Sequence, residues 1–91
     1  MAHWTFLTHH GHVLVALAQN PDLTIDELAA KVGITSRAIA GILSDLVDTG
    51  YVAKSRIGRN NHYEVHADVP MRHPLNEMAS VSDLLGLFKN K

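Results

Sequence analysis

Residues 24–66 read TIDELAAKVGITSRAIAGILSDLVDTGYVAKSRIGRNNHYEVH, and the fold is decided by this stretch. Thr24 and Glu27 stand at the spacing of a capping box, in which hydroxyl and carboxylate satisfy reciprocal unpaired N–H groups at a helix start. The helix they open carries Leu28, Ala29 and Val32 and meets Gly33, the residue that best tolerates a left-handed C-terminal cap. Thr35 then caps a second helix, Ser36 to Thr49, closed by Gly50, with Ile39, Ile42, Leu43, Leu46 and Val47 on one apolar stripe. After Gly50 the period shortens to two. Tyr51 to Arg56 reads as a strand, Gly58-Arg59-Asn60-Asn61 as a turn, and His62 to His66 as the returning strand.

Upstream, Thr8 is placed to cap a helix that buries Val13, Leu14, Leu17 and Ala18. Asn20-Pro21-Asp22 ends it, because a residue before proline is biased out of the α region. Downstream, Val69-Pro70 and His73-Pro74 interrupt regular structure. A last helical pattern follows Ser80, with Val81, Leu84, Leu85, Leu87 and Phe88 apolar. The order helix, helix, helix, hairpin, helix predicts a mainly α fold with a small β-hairpin. Two short helices around Gly33-Ile34-Thr35, followed at once by a Gly-tipped hairpin, form the winged helix-turn-helix pattern. A single domain is expected over residues 1–91, with its core in 8–66 and with dimerisation served by 1–7 and 67–91.

The chain has 91 residues, no cysteine, 46% hydrophobic and 19% charged residues. That composition describes a globular domain, and the missing cysteines exclude disulfide scaffolds, thiolate zinc sites and thiol catalysis. No apolar run is long enough to span a bilayer and no signal-like N-terminus precedes the pattern, so a cytoplasmic protein is expected, without a membrane partner. A net charge of −1 hides an uneven distribution. Residues 1–30 hold Asp22, Asp26 and Glu27 and no Lys or Arg, whereas residues 31–62 hold Lys31, Arg37, Lys54, Arg56 and Arg59 against Asp45 and Asp48. Beyond them, Arg72, Lys89 and Lys91 stand against Glu64, Asp68, Glu77 and Asp83. Basic charge therefore gathers in the middle third, as a polyanionic partner requires.

The physics of that pattern points to double-stranded DNA. The recognition helix, 36–49, would offer its first turns to a major groove, and the wing, 54–62, would meet the flanking backbone or minor groove. Ser36, Arg37, Ala40, Gly41 and Ser44 are the outward, base-facing candidates, with Asp45 and Asp48 directed away. Arg37 is the side chain able to make a bidentate contact to guanine. Thr35 and Ser36 suit phosphate, and Lys54, Arg56, Arg59, Asn60, Asn61 and His62 are the wing's candidates. Trp4, Phe6 and Leu7, with Leu84, Leu85, Leu87 and Phe88, form more apolar surface than one small core hides, and a two-fold interface would bury it.

The segments Trp4-Thr5-Phe6-Leu7-Thr8, Val32-Gly33-Ile34-Thr35-Ser36-Arg37-Ala38, Asp48-Thr49-Gly50-Tyr51, Gly58-Arg59-Asn60-Asn61-His62-Tyr63 and Arg72-His73-Pro74-Leu75 resemble the small winged-helix transcriptional regulators of the MarR and ArsR types. The resemblance runs from Trp4 to Phe88. It implies a homodimer on duplex DNA, with the terminal helices at the two-fold contact and Arg37 and Arg59 on DNA. Similar proteins usually carry larger polar residues where this chain has Ala40 and Gly41, which implies little direct base readout there.

Seven histidines, His3, His9, His10, His12, His62, His66 and His73, raise a metal-responsive alternative, since regulators resembling the ArsR type often sense metals. His9 and His12 share a helix face and are the metal candidates, but a closed zinc site needs four ligands and spacing supplies only this pair. No metal or other cofactor is therefore expected. His62, Glu64 and His66 share a strand face, equally the pattern of a hydrogen-bonded wing. No nucleophile elbow, Gly-rich phosphate loop or paired carboxylates are present, so no enzyme is expected. A winged helix that docks a protein instead of DNA is the other alternative, favoured by the near-zero net charge. No small-molecule effector is indicated by any spacing in the chain.

Overall fold

The computed structural model describes residues 4–88; His3, Lys89 and Lys91 lie outside them. Its elements in chain order are α1 (His9–Gln19), α2 (Ile25–Val32), α3 (Ser36–Asp48), β1 (Val52–Ile57), β2 (Asn60–Val65) and α4 (Val81–Gly86). The helices begin where their caps place them. The Thr8 hydroxyl accepts from the Gly11 N–H at 3.2 Å and the Thr35 hydroxyl from the Ala38 N–H at 3.1 Å. At α2 the capping box closes both ways, Thr24 Oγ1 accepting from the Glu27 N–H at 3.1 Å and Glu27 Oε1 from the Thr24 N–H at 2.9 Å. Gly33 ends α2 with φ +87°, a conformation that other residues rarely adopt. α3 stops one residue before the expected end, because Thr49 leaves helical geometry and donates its hydroxyl to the Asp45 carbonyl at 2.7 Å.

The capping box makes a pH prediction. The Thr24 backbone N–H, then its hydroxyl, hold the Glu27 carboxyl below its ordinary value of 4.5. A carboxylate depressed in the folded state adds stability above its unfolded pKa and loses it as pH falls through the folded value. Glu27→Gln is therefore expected to lower the melting temperature at pH 7, and the gap from wild type to close as the pH drops below 4.5. Paired thermal melts across that range check it.

β1 and β2 pair antiparallel with Val52 opposite Val65, Lys54 opposite Tyr63, Arg56 opposite Asn61 and Ile57 opposite Asn60. Only Gly58 and Arg59 remain in the turn. Positive φ at Gly58 (+63°) and at no other residue of the turn matches a type II′ hairpin, whose first central position demands glycine. Asn60 and Asn61, expected in the turn, are thus strand residues. Tyr63 also donates its N–H to the Pro21 carbonyl at 3.1 Å, so the α1–α2 loop lies along the free edge of β2.

Fourteen side chains form one core, including Val13, Leu14 and Leu17 of α1, Leu28 of α2, Ile39, Ile42, Leu43 and Leu46 of α3, and Tyr51, Val52 and Tyr63 around the hairpin. It reaches past residue 66. Val81 is 1% exposed, and its segment is tied down by the Tyr51 hydroxyl donating to the Pro70 carbonyl at 2.6 Å. Two stripe positions depart from expectation, since Ala18 is exposed and Val47 is 36% exposed. Among the described residues no helix is long and apolar enough to cross a membrane.

Candidate nucleic-acid interface

Helical spacing puts Arg37, Gly41, Ser44 and Asp48 along the outermost stripe of α3, and all four are exposed. Asp48 therefore stands in line with Arg37, roughly 16 Å farther along the axis, and is not turned away from the candidate face. Asp45 lies on the flank toward α1, its Oδ2 2.8 Å from His10 Nε2. On the other flank Ala40, Ser44 and Val47 line a shallow hollow of about 290 Å³ against Lys54 and Tyr63. α3 and the first wing strand thus share a boundary.

In the wing, Lys54 and Arg56 lie on the sheet face of their cross-strand partners Tyr63 and Asn61. The inner end of that face, Val52 and Tyr63, is buried in the core, while Lys54 and Arg56 emerge into solvent. Arg59 sits at the tip and lines a hollow with Asp22 and Asp26. Asp26 also accepts the Ser36 hydroxyl at 2.6 Å, so the start of α3 and the wing tip flank one carboxylate. Among the described residues His10 and Asp45, and His62 and Asp22, are hydrogen-bonded at 2.8 Å, and no Lys or Arg forms an ion pair. Arg37, Lys54, Arg56 and Arg59 are exposed and form none.

Other candidates are already engaged. Thr35 caps α3, Ser36 is bonded to Asp26, and half-buried His62 holds Asp22. Asn60 is exposed and Asn61 half-buried. The sequence reading counted Asp22, Asp26 and Asp45 as charges but not as the partners of His62, Ser36 and His10. His62–Asp22 and His10–Asp45 join residues 40 and 35 positions apart, and no local period encodes such a meeting.

The apolar terminal residues divide into two groups. Phe6, Leu7 and Leu84 line a hollow of about 690 Å³ whose wall includes Leu46 and Asp48 of α3. Leu85 and Phe88 instead line a hollow of about 430 Å³ with Val15 and Ala18. Trp4 packs edge-on to Phe6, ring centroids 5.1 Å apart, yet the two are 68% and 93% exposed, and Leu87 is 76% exposed. The His9 and His12 rings have centroids 6.3 Å apart, and among the described residues no third His, Cys, Asp or Glu joins them.

Two buried-faced helices, an exposed cationic start to the second, and a cationic hairpin beside it define a class. Residues 8–53, half of the chain, match the winged helix-turn-helix DNA-binding family, and the chain belongs to that family. Among solved structures it is similar to the crystal structure of the AntR antimony-specific transcriptional repressor, with TM-score 0.56 and 29% sequence identity over 86% of this chain and 60% of that one. The chain thus spans about 60% of that repressor's length. No curated protein matches it. It is a small winged helix-turn-helix protein, mainly helical with one antiparallel hairpin, and its family is one of DNA binding.

Proposed function

We propose that the chain is a homodimeric transcription regulator acting on chromosomal DNA in the cytoplasm, with α3 in the major groove and the wing on the flanking backbone or minor groove. The observation that carries this reading is that four of the six Lys and Arg among the described residues, all exposed and none in an ion pair there, gather at the start of α3 and the wing: Arg37, Lys54, Arg56 and Arg59. Arg37 is assigned to a guanine edge or a phosphate, Lys54, Arg56 and Arg59 to phosphates. Asp22, Asp26 and Asp48 border this strip, which keeps it narrow. The similar repressor is antimony-specific; this chain has no cysteine with which to build a soft thiolate site, so antimony is not part of the proposal.

Counterion release tests the reading. Each phosphate neutralised adds about −0.9 to the slope of log affinity against log salt, so four contacts per protomer give a slope steeper than about −3. A fluorescence titration of a 30-bp duplex at several salt concentrations is expected to show it. A flat dependence would overturn the reading.

The dimer reading is supported by the exposure of Trp4, Phe6 and Leu87 and by the 690 Å³ hollow beside them. An isologous contact there would set two copies of α3 about one DNA turn, roughly 34 Å, apart. Sedimentation equilibrium is expected to return about twice the 10.0 kDa chain mass, and Phe6→Ser to return the mass of one chain. A wild-type mass of a single chain would overturn the dimer.

A further inference from the structure

We infer that the hollow between α3 and β1 is a specificity-determining notch that seats the 5-methyl group of thymine, so that the protein prefers A·T-containing duplexes. The inference rests on the DNA-binding reading above and names what that face reads. The notch is closed below by Leu43 and Tyr63, 4% and 3% exposed, its open wall is Ala40 and Val47, and Ile25, Ser44 and Asp48 complete the lining. Val47 continues the apolar stripe of α3 but remains 36% exposed, so the core leaves its methyls uncovered. Lys54 stands on the rim. Asp48 lines the same hollow, so its rim carries both signs of charge.

The chemistry selects the occupant. In the major groove, base pairs present hydrogen-bond donors and acceptors, and only thymine adds an apolar group, its 5-methyl. Ala40 and Gly41 have no side-chain donor or acceptor to offer a base edge, and the space beside Gly41 is open, with no atom within 4 Å of where a Cβ would stand. A groove can therefore approach this turn of α3 closely. The exposed apolar surface of Ala40 and Val47 is complementary to that methyl. Cytosine, with a hydrogen at that carbon and an amino group beside it, leaves the wall unfilled. At Ala40 methyl contact thus takes the place of hydrogen-bonded readout.

The test uses the whole protein and four 30-bp probes: an A·T-rich duplex, the same duplex with deoxyuridine for every thymidine, a G·C-rich duplex, and the same with 5-methylcytosine for every cytosine. Removing a buried methyl weakens binding about fourfold, so the uridine probe is expected to bind about fourfold more weakly per seated methyl. Methylating cytosine should strengthen binding in turn. Ala40→Gln fills the notch with a good helix former; it should bring the thymidine-to-uridine ratio to about one. Equal affinity for thymidine and uridine duplexes with a steep salt slope would overturn the notch and leave DNA binding intact. An undiminished ratio in Ala40→Gln would also overturn it. No salt-dependent binding to any probe would overturn the DNA reading, and the notch with it.

Discussion

Replacing Arg37 and Arg59 together by alanine is expected to abolish most of the duplex affinity at low salt and to make the salt dependence shallower by about two contacts, or roughly 1.8 in slope, for each protomer on the duplex. The two residues sit on different elements, one opening α3 and one at the wing tip; Arg59 lines a hollow with Asp26, and Asp26 accepts from Ser36, the neighbour of Arg37 in the chain. A duplex lying across α3 and the wing is expected to meet both. If Arg37 reaches a guanine edge, its loss alone weakens that site by about 1–3 kcal/mol. Lys31→Ala and Arg72→Ala are the controls. Both are exposed cations, but Lys31 is on α2 and Arg72 lines the hollow beside the terminal segments. Anisotropy titrations at two salt concentrations should leave those controls close to wild type. A loss as large in the controls would move the DNA face elsewhere.

Leu28→Ala is expected to unfold the domain or leave it barely folded. Leu28 is 0% exposed on α2, the helix that braces α3. Removing a fully buried leucine leaves a cavity and costs about 2–5 kcal/mol, against a total stability of about 5–15 kcal/mol for a domain. The melting temperature should fall by roughly 10–30 °C, at about 4–8 °C per kcal/mol for this size. Val47→Ala makes the comparison. Its side chain is also apolar and on α3, but it is partly open to solvent, and its melt should shift by only a few degrees. Circular dichroism melts of both variants decide the matter. Similar losses would mean that burial at Leu28 is not what holds the helix pair.

The helix starts were legible because a cap is a local event. Thr8, Thr24 with Glu27, and Thr35 each satisfy an N–H three residues away, and such a bond needs no distant partner. Gly33 marked the end of α2 for the same reason. The hairpin was legible in kind but not in its limits. Asn60 and Asn61 are good turn formers, yet Gly58 alone supplies the positive φ that a two-residue turn requires, so pairing runs on to Ile57 and Asn60. Val47 shows where periodicity stops. The stripe gave its direction correctly, but α2 has eight residues and α3 thirteen, and the last turn of α3 outruns what packs on it.

The candidate face was legible only in its charges. Arg37, Lys54, Arg56 and Arg59 were named from their positions on an outward helix turn and a hairpin, and all are exposed. Ser36 and His62 were named on the same grounds, and each is held by an aspartate instead. Those aspartates belong to α2 and the α1–α2 loop, which the fold brings against α3 and β2.

By itself, then, the order of residues determined the element types, the caps, the apolar faces and the cluster of basic charge. All of these follow from interactions within a few positions along the chain. Tertiary packing alone decided which polar side chains remain open to a partner, that Val81 completes the core, and that Ala40 and Val47 border Lys54 in one hollow. Such outcomes depend on distances between segments far apart in sequence, set by how the helices and hairpin share a common interior.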